Sequence, residues 1–205
     1  MKRFFWILLG ISSTLIGFYP ILYFLIDRNF GLLASKSSEL LADVLWNAAF
    51  YGHIVLGGLA LCIGWIQFSA KLRNEHLRLH RRIGKTYVTS VLISGFCGVY
   101  IAHFATGGYV SIVGFTCLGI IWLATTLLAY RAVLKGKIKL HQEWMIYSYA
   151  VCFAAVTLRV WLPLLTEMFG AFLPAYRIVA WLSWVPNLIV AYVIIRKNKS
   201  VASPA

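Results

Sequence analysis

Residues 48–70 read AAFYGHIVLGGLALCIGWIQFSA, and residues 71–85 directly after them read KLRNEHLRLHRRIGK. The first stretch holds no Asp, Glu, Lys or Arg. About 20 such residues, at roughly 1.5 Å of helical rise each, cross the hydrocarbon layer of a bilayer. In that layer every backbone N–H and C=O must be satisfied within the segment, so the stretch spans as an α-helix. The second stretch carries Lys71, Arg73, Arg78, Arg81, Arg82 and Lys85, the type of cluster that holds helix ends on one leaflet. Together the two stretches specify an all-α, polytopic membrane protein.

Working outward, the same alternation recurs. Apolar runs at 4–26, 48–70, 86–106, 109–131, 144–166 and 174–195 predict a bundle of six transmembrane helices. Gly107 and Gly108 make the connection between the third and fourth runs very short. The composition agrees: 61% hydrophobic residues, 12% charged residues and a mean hydropathy of +0.81 lie far outside the soluble range. The chain reads as one transmembrane domain over residues 1–205, with a motif-bearing core at 48–165. Lys2 and Arg3 before an apolar run resemble a signal peptide, but the run exceeds the usual h-region and no A-x-A-like site follows. It is read as the first spanning helix.

Charge placement predicts orientation. One side collects Lys2, Arg3, the 71–85 cluster, Arg131, Lys135, Lys137, Lys139, Arg196, Lys197 and Lys199. The other holds Arg28 and Lys36 beside Asp27, Glu39 and Asp43. The positive-inside rule then puts both termini on the cytoplasmic side of a multi-pass protein of the inner (plasma) membrane. The net charge of +13 is spent in these short clusters, so the expected partners are the lipid bilayer and its anionic cytoplasmic lipids rather than nucleic acid. Cys62, Cys97, Cys117 and Cys152 lie inside apolar runs without C-x-x-C spacing, as small apolar fillers.

Small residues mark close helix approach. Ser90, Ser94, Gly98 and Ala102 recur every four residues on the third run. On the second, His53, Gly57, Ala60, Gly64 and Gln67 fall within about 40° of one another, a face that accepts either a neighbouring helix or a flat cofactor.

Ionisable groups inside spans are rare and mark candidate sites. His53 and His103 sit at comparable depths near the outer ends of consecutive antiparallel helices, the placement needed to ligate one haem b iron from both sides. Gly57 and Gly64 would flank the ring. His141, Ser148, Cys152, Ala155 and Arg159 share one face of the fifth run, and Arg159, about 27 Å above His141 at helical rise, would meet a haem propionate or a substrate anion. The alternative is that the two histidines only hydrogen-bond neighbouring helices and that Arg159 and Arg177 snorkel to headgroups. His80 and His141 form an inner pair, although His80 lies about 34 Å of helix from His103, at or beyond the membrane surface. His76 and His80 have metal-clip spacing, but Arg73, Arg78, Arg81 and Arg82 surround them and favour anionic lipid.

The strings His80-Arg81-Arg82-Ile83-Gly84-Lys85-Thr86-Tyr87, His141-Gln142-Glu143-Trp144-Met145 and Ala155-Val156-Thr157-Leu158-Arg159 resemble the H-R-x-x-G-x-x-Y, H-x-x-W-M and A-V-T-L-R signatures of a bacterial membrane-protein family catalogued as domain of unknown function 2306. Residues 57–68, ending in Gln67-Phe68, are similar to that family's second helix, and the likeness covers about residues 48–165. The resemblance implies six or seven helices and no activity. The family pattern commonly carries an arginine where this chain has Tyr147, so no charged role transfers to that position.

Three functional readings follow. The first is a membrane redox protein, or an assembly factor for a redox complex, binding haem b through His53 and His103 with Arg159 nearby. The second is a small transporter or anionic-lipid- and ligand-binding protein, using Gln67, His80, Arg81, His141 and Glu143 at the cytoplasmic mouth. The third is a structural or partner-binding subunit whose polar groups only lock the bundle, its partner being another membrane protein or a second copy. No G-x-S-x-G, H-E-x-x-H or P-loop occurs, which argues against a hydrolase or a nucleotide-driven pump.

Overall fold

A computed structural model describes residues 2–26 and 31–202, and among these the chain is helical with no strand. Helix α1 (Lys2–Phe18) tightens into a 3₁₀ turn, Tyr19–Ile21, at Pro20, whose ring removes a backbone donor. It then closes as α2 (Leu22–Leu25). The short α3 (Ser38–Ala42) precedes α4 (Val44–Gly64), where Asp43 Oδ1 accepts the Trp46 N–H at 2.6 Å as an N-cap. A 3₁₀ turn, Trp65–Phe68, ends that span. Then come α5 (Ala70–Glu75), capped by Ser69, α6 (Leu77–Ala102) and α7 (Tyr109–Leu134). The last two spans are each broken once, into α8 (Ile138–Cys152) with α9 (Ala154–Phe169) and α10 (Phe172–Leu182) with α11 (Val185–Ala202).

Six helical spans are long and apolar enough to cross a bilayer: Phe4–Leu25, Val44–Phe68, Leu77–Ala102, Tyr109–Leu134, Ile138–Phe169 and Phe172–Lys199. The number matches the sequence reading, and the largest differences in boundary lie at the cationic end. The third span starts at Leu77 rather than 86, and the fifth at Ile138 rather than 144. Hydropathy stops at the first cations, but Lys, Arg, Gln, Glu and Leu are good helix formers, so the helices continue into the polar layer. Asp27 and Arg28, which entered the charge balance, lie outside the described residues, as do the side chains of Lys2 and Arg3.

Helix α4 sits between α1 and α6, α6 packs on α7, and α7 on α8 and α10, while α9 pairs with α10 and α8 with α11. The core lies where these meet, around Ala60, Leu61, Tyr87, Val91, Trp122 and Tyr149. Gly108, with φ +68°, turns the chain from α6 into α7, and Gly170, with φ +63°, is the left-handed C-cap of α9. At that end Arg177 Nε donates to Gly107 O at 2.9 Å and Lys36 Nζ to Thr106 Oγ1 at 2.9 Å. At the opposite end Lys199 pairs with Glu143 at 2.9 Å, tying α11 to α8 among the cationic stretches.

The breaks in the last two spans have identifiable causes. Pro186 has no N–H for the carbonyl of Leu182, where α10 stops. Asn187 Nδ2 donates to Ala150 O at 3.2 Å, the acceptor that the Ala154 N–H would otherwise take, and α8 gives way to α9 at Phe153. The same amide reaches Ser183 O at 2.9 Å and Thr157 Oγ1 at 3.2 Å, and Thr157 Oγ1 donates to Ser183 O. One side-chain cluster therefore fastens both breaks together.

Candidate ligand-binding site

Gln67, at the end of the second span, His80 and Arg81, on the first two turns of α6, and His141 and Glu143, on the first two turns of α8, reach the same end of the bundle because α4 and α6 run antiparallel while α6 and α8 run parallel. All five line one cavity of about 1190 Å³ at the cationic end. Arg73, Lys85, Lys139 and Lys199 line it as well. Its walls are apolar, supplied by Phe68, Val88, Val133, Met145, Ile146 and Ile195 among others. Sequence reasoning missed these four cations as site residues, since the clusters read as topology signals and general anionic-lipid contacts. Their spacing behind His80 and His141 was the available signal.

The polar groups of this site are not consumed by internal bonds. Gln67 is 7% exposed, yet its Nε2 is buried without a partner, and so is Nδ1 of His80. His141 is different: its Nδ1 lies 2.9 Å from Ala129 O, and because a carbonyl only accepts, Nδ1 carries the hydrogen. That bond fixes the ring on α7 and leaves Nε2 as the lone-pair edge. Glu143 is held by Lys199. Among the described residues no other ion pair is present, so Arg73, Arg81, Lys85 and Lys139 stand without counter-charge. Amphiphile binding needs this combination, a cationic mouth above apolar walls. No group of three or more His, Cys, Asp or Glu able to hold a metal ion occurs among the described residues.

The outer-end residues are not brought together as the haem reading requires. His53 is enclosed between α4 and α6, with Nδ1 at 2.9 Å from Ser94 O and the Ser94 hydroxyl donating to His53 O at 2.8 Å. Its ring lies over Gly98, where an added Cβ would meet Nδ1 at 2.8 Å. His103 is five residues beyond Gly98, about 140° further around α6, and points away. It is exposed at the helix end, with Nδ1 on its own Val99 O at 2.8 Å. The ring nitrogens of His53 and His103 meet α6 at Ser94 O and Val99 O, five residues or about 7.5 Å of helical rise apart, so level and azimuth both separate the pair. Gly57 and Gly64 likewise face protein: a Cβ on Gly57 would meet Ser94 Oγ at 3.0 Å, and one on Gly64 the rings of Tyr149 and Tyr87 at 2.5 and 2.8 Å. The small-residue face thus receives a helix and two aromatic rings, which leaves no slot for a macrocycle, and the residues do not fit a bis-histidine haem.

Arg159 does not snorkel freely. Its guanidinium stacks over Tyr19 at 4.3 Å and Nη1 donates to Ala155 O at 2.9 Å, while Nε is buried without a partner. Of the other residues sharing its predicted face, Ser148 belongs to a chain of buried hydroxyls. Tyr87 OH and Ser148 Oγ lie 2.8 Å apart, and Ser148 Oγ and Thr126 Oγ1 2.6 Å, which joins α6, α8 and α7. Beside it Tyr149 OH contacts Ser13 Oγ at 2.7 Å and donates to Leu61 O at 3.1 Å, which reaches α1 and α4. Tyr87, in this network, closes the string that begins with cavity residues His80, Arg81 and Gly84.

Comparison with known proteins adds one finding. Residues 50–195 match a family described as "Predicted membrane protein (DUF2306)". No curated protein and no solved structure matches the chain.

Proposed function

The chain belongs to the membrane-protein family of domain of unknown function 2306, and on that premise we propose that it binds an anionic amphiphile, lipid or lipid-like, in the cavity at its cationic end. The observation that carries this reading is the convergence of Gln67, His80, Arg81, His141 and Glu143 on one cavity whose rim is cationic and whose walls are apolar. Burying one charged headgroup there would engage cations that have no internal partner, and the apolar walls would shield a chain. By the positive-inside rule this mouth faces the cytoplasm of the inner membrane. A transporter or lipid-handling protein uses such a site.

Native mass spectrometry of the protein extracted in mild detergent tests the proposal. The wild type retains an anionic lipid or ligand adduct, and the Arg81→Ala, His141→Ala double variant, checked for an unchanged helical spectrum, loses it. Equal adducts on both proteins would overturn the assignment.

A further inference from the structure

Resting on the reading above, we infer that the cavity selects a headgroup ending in a phosphate monoester or diphosphate over one linked as a phosphodiester, and that His141 makes the distinction. Two observations converge. The first is charge. Arg73, Arg81, Lys85, Lys139 and Lys199 line the cavity against a single carboxylate, Glu143, which Lys199 already holds at 2.9 Å. Four cations therefore remain, with His80 and His141 beside them, and a diester would supply one negative charge where a terminal phosphate supplies up to two.

The second is the proton. Because Nδ1 of His141 donates to Ala129 O, Nε2 is the ring nitrogen left to meet a ligand in the cavity that His141 lines, and a neutral ring offers its lone pair there. A phosphodiester offers that edge only acceptor oxygens, which repel it. A terminal phosphate can bring its own proton, since its second ionisation lies near pH 6. One proton is then shared between phosphate oxygen and Nε2. Whichever side holds it, the contact is a charge-assisted hydrogen bond, and no atom other than the proton changes place. The neighbouring Arg81 and Lys139 draw the phosphate toward its dianion.

The experiment titrates delipidated full-length protein at pH 7 with dioleoyl phosphatidic acid and, separately, dioleoyl phosphatidylmethanol, its methyl ester. The two lipids share their chains and differ in the phosphate linkage. One charge-assisted hydrogen bond corresponds to about tenfold in affinity, so the wild type should bind phosphatidic acid about tenfold more tightly. In His141→Gln the ratio should fall severalfold, to what charge alone gives, with phosphatidylmethanol binding unchanged, and an unchanged ratio overturns the role of His141. Equal affinities in the wild type overturn the inference, and this arm decides even if the variant does not fold. Displacement of phosphatidic acid by millimolar inorganic phosphate would overturn the lipid source in favour of a soluble phosphate. If the wild type binds neither lipid and Arg81→Ala changes nothing, the failure lies in the amphiphile reading itself.

Discussion

Gly64→Ala is the most direct test of how the second span is packed. A methyl there would stand 2.5 Å from Cε2 of Tyr149 and 2.8 Å from Cε2 of Tyr87, well inside van der Waals contact. Neither ring swings aside freely, because Tyr149 OH is held by Ser13 and Leu61 and Tyr87 OH by Ser148. Overpacking of this kind costs about 1–3 kcal/mol. Releasing one interhelical hydroxyl bond would add about 0.6 kcal/mol, and the better helix propensity of alanine would return at most about 1 kcal/mol. The net loss is about 1–3 kcal/mol, which for a chain of this size lowers the melting temperature by roughly 3–10 °C. Thermal unfolding in detergent, followed by circular dichroism, measures it. Gly84→Ala is the control, since its Cβ would lie 3.4 Å from Gln67 Oε1, an ordinary contact. If Gly64→Ala melts with the wild type, the small-residue face is open rather than filled by tyrosines, and the argument against a flat cofactor there fails.

Other outcomes follow from the same structure. Ser148→Ala removes the link between Tyr87 and Thr126 and should cost about 1–2 kcal/mol in detergent unfolding, while Tyr87→Phe in that background should add little; additive losses would show that the hydroxyls act separately. Burial pushes the Lys36 ammonium down to about 8 from its ordinary 10.5. The folded state therefore holds fewer protons than the unfolded one between those values, and stability should rise as pH climbs through that window. Solvent screening at this partly exposed site limits the gain to about 1 kcal/mol. Lys36→Met should abolish the rise, and a fall in wild-type melting temperature relative to the variant from pH 7.5 to 9.5 would contradict it. Protein purified from haem-supplemented cells should show no Soret band that depends on His53 and His103; a band abolished by His53→Ala would restore the haem reading.

Six crossings were legible because lipid imposes a length and a polarity that single runs such as 48–70 display by themselves. The end of each span was less legible, as Leu77–Lys85 shows: hydropathy records transfer into lipid, and a helix persists beyond it. The inner cluster was readable since His80, His141 and Gln67 sit near the ends of spans whose directions the topology already fixed. His53 and His103 show the opposite case. Counting residues along one helix fixes neither the level at which His53 meets α6 nor the way each side chain faces; both depend on the crossing of α4 and α6 near Ser94 and Gly98. The break at Phe153 was equally hidden, for it is made by Asn187 from another helix, whereas the Pro186 break had a local signal.

The Asn187 clasp has a mechanical consequence. Since a single amide holds the carbonyls of Ala150 and Ser183 and the hydroxyl of Thr157, neither elbow unbends without straining the other. The hairpin of α9 with α10 is thereby coupled to the pair of α8 with α11, so that bending at either break would carry the other with it.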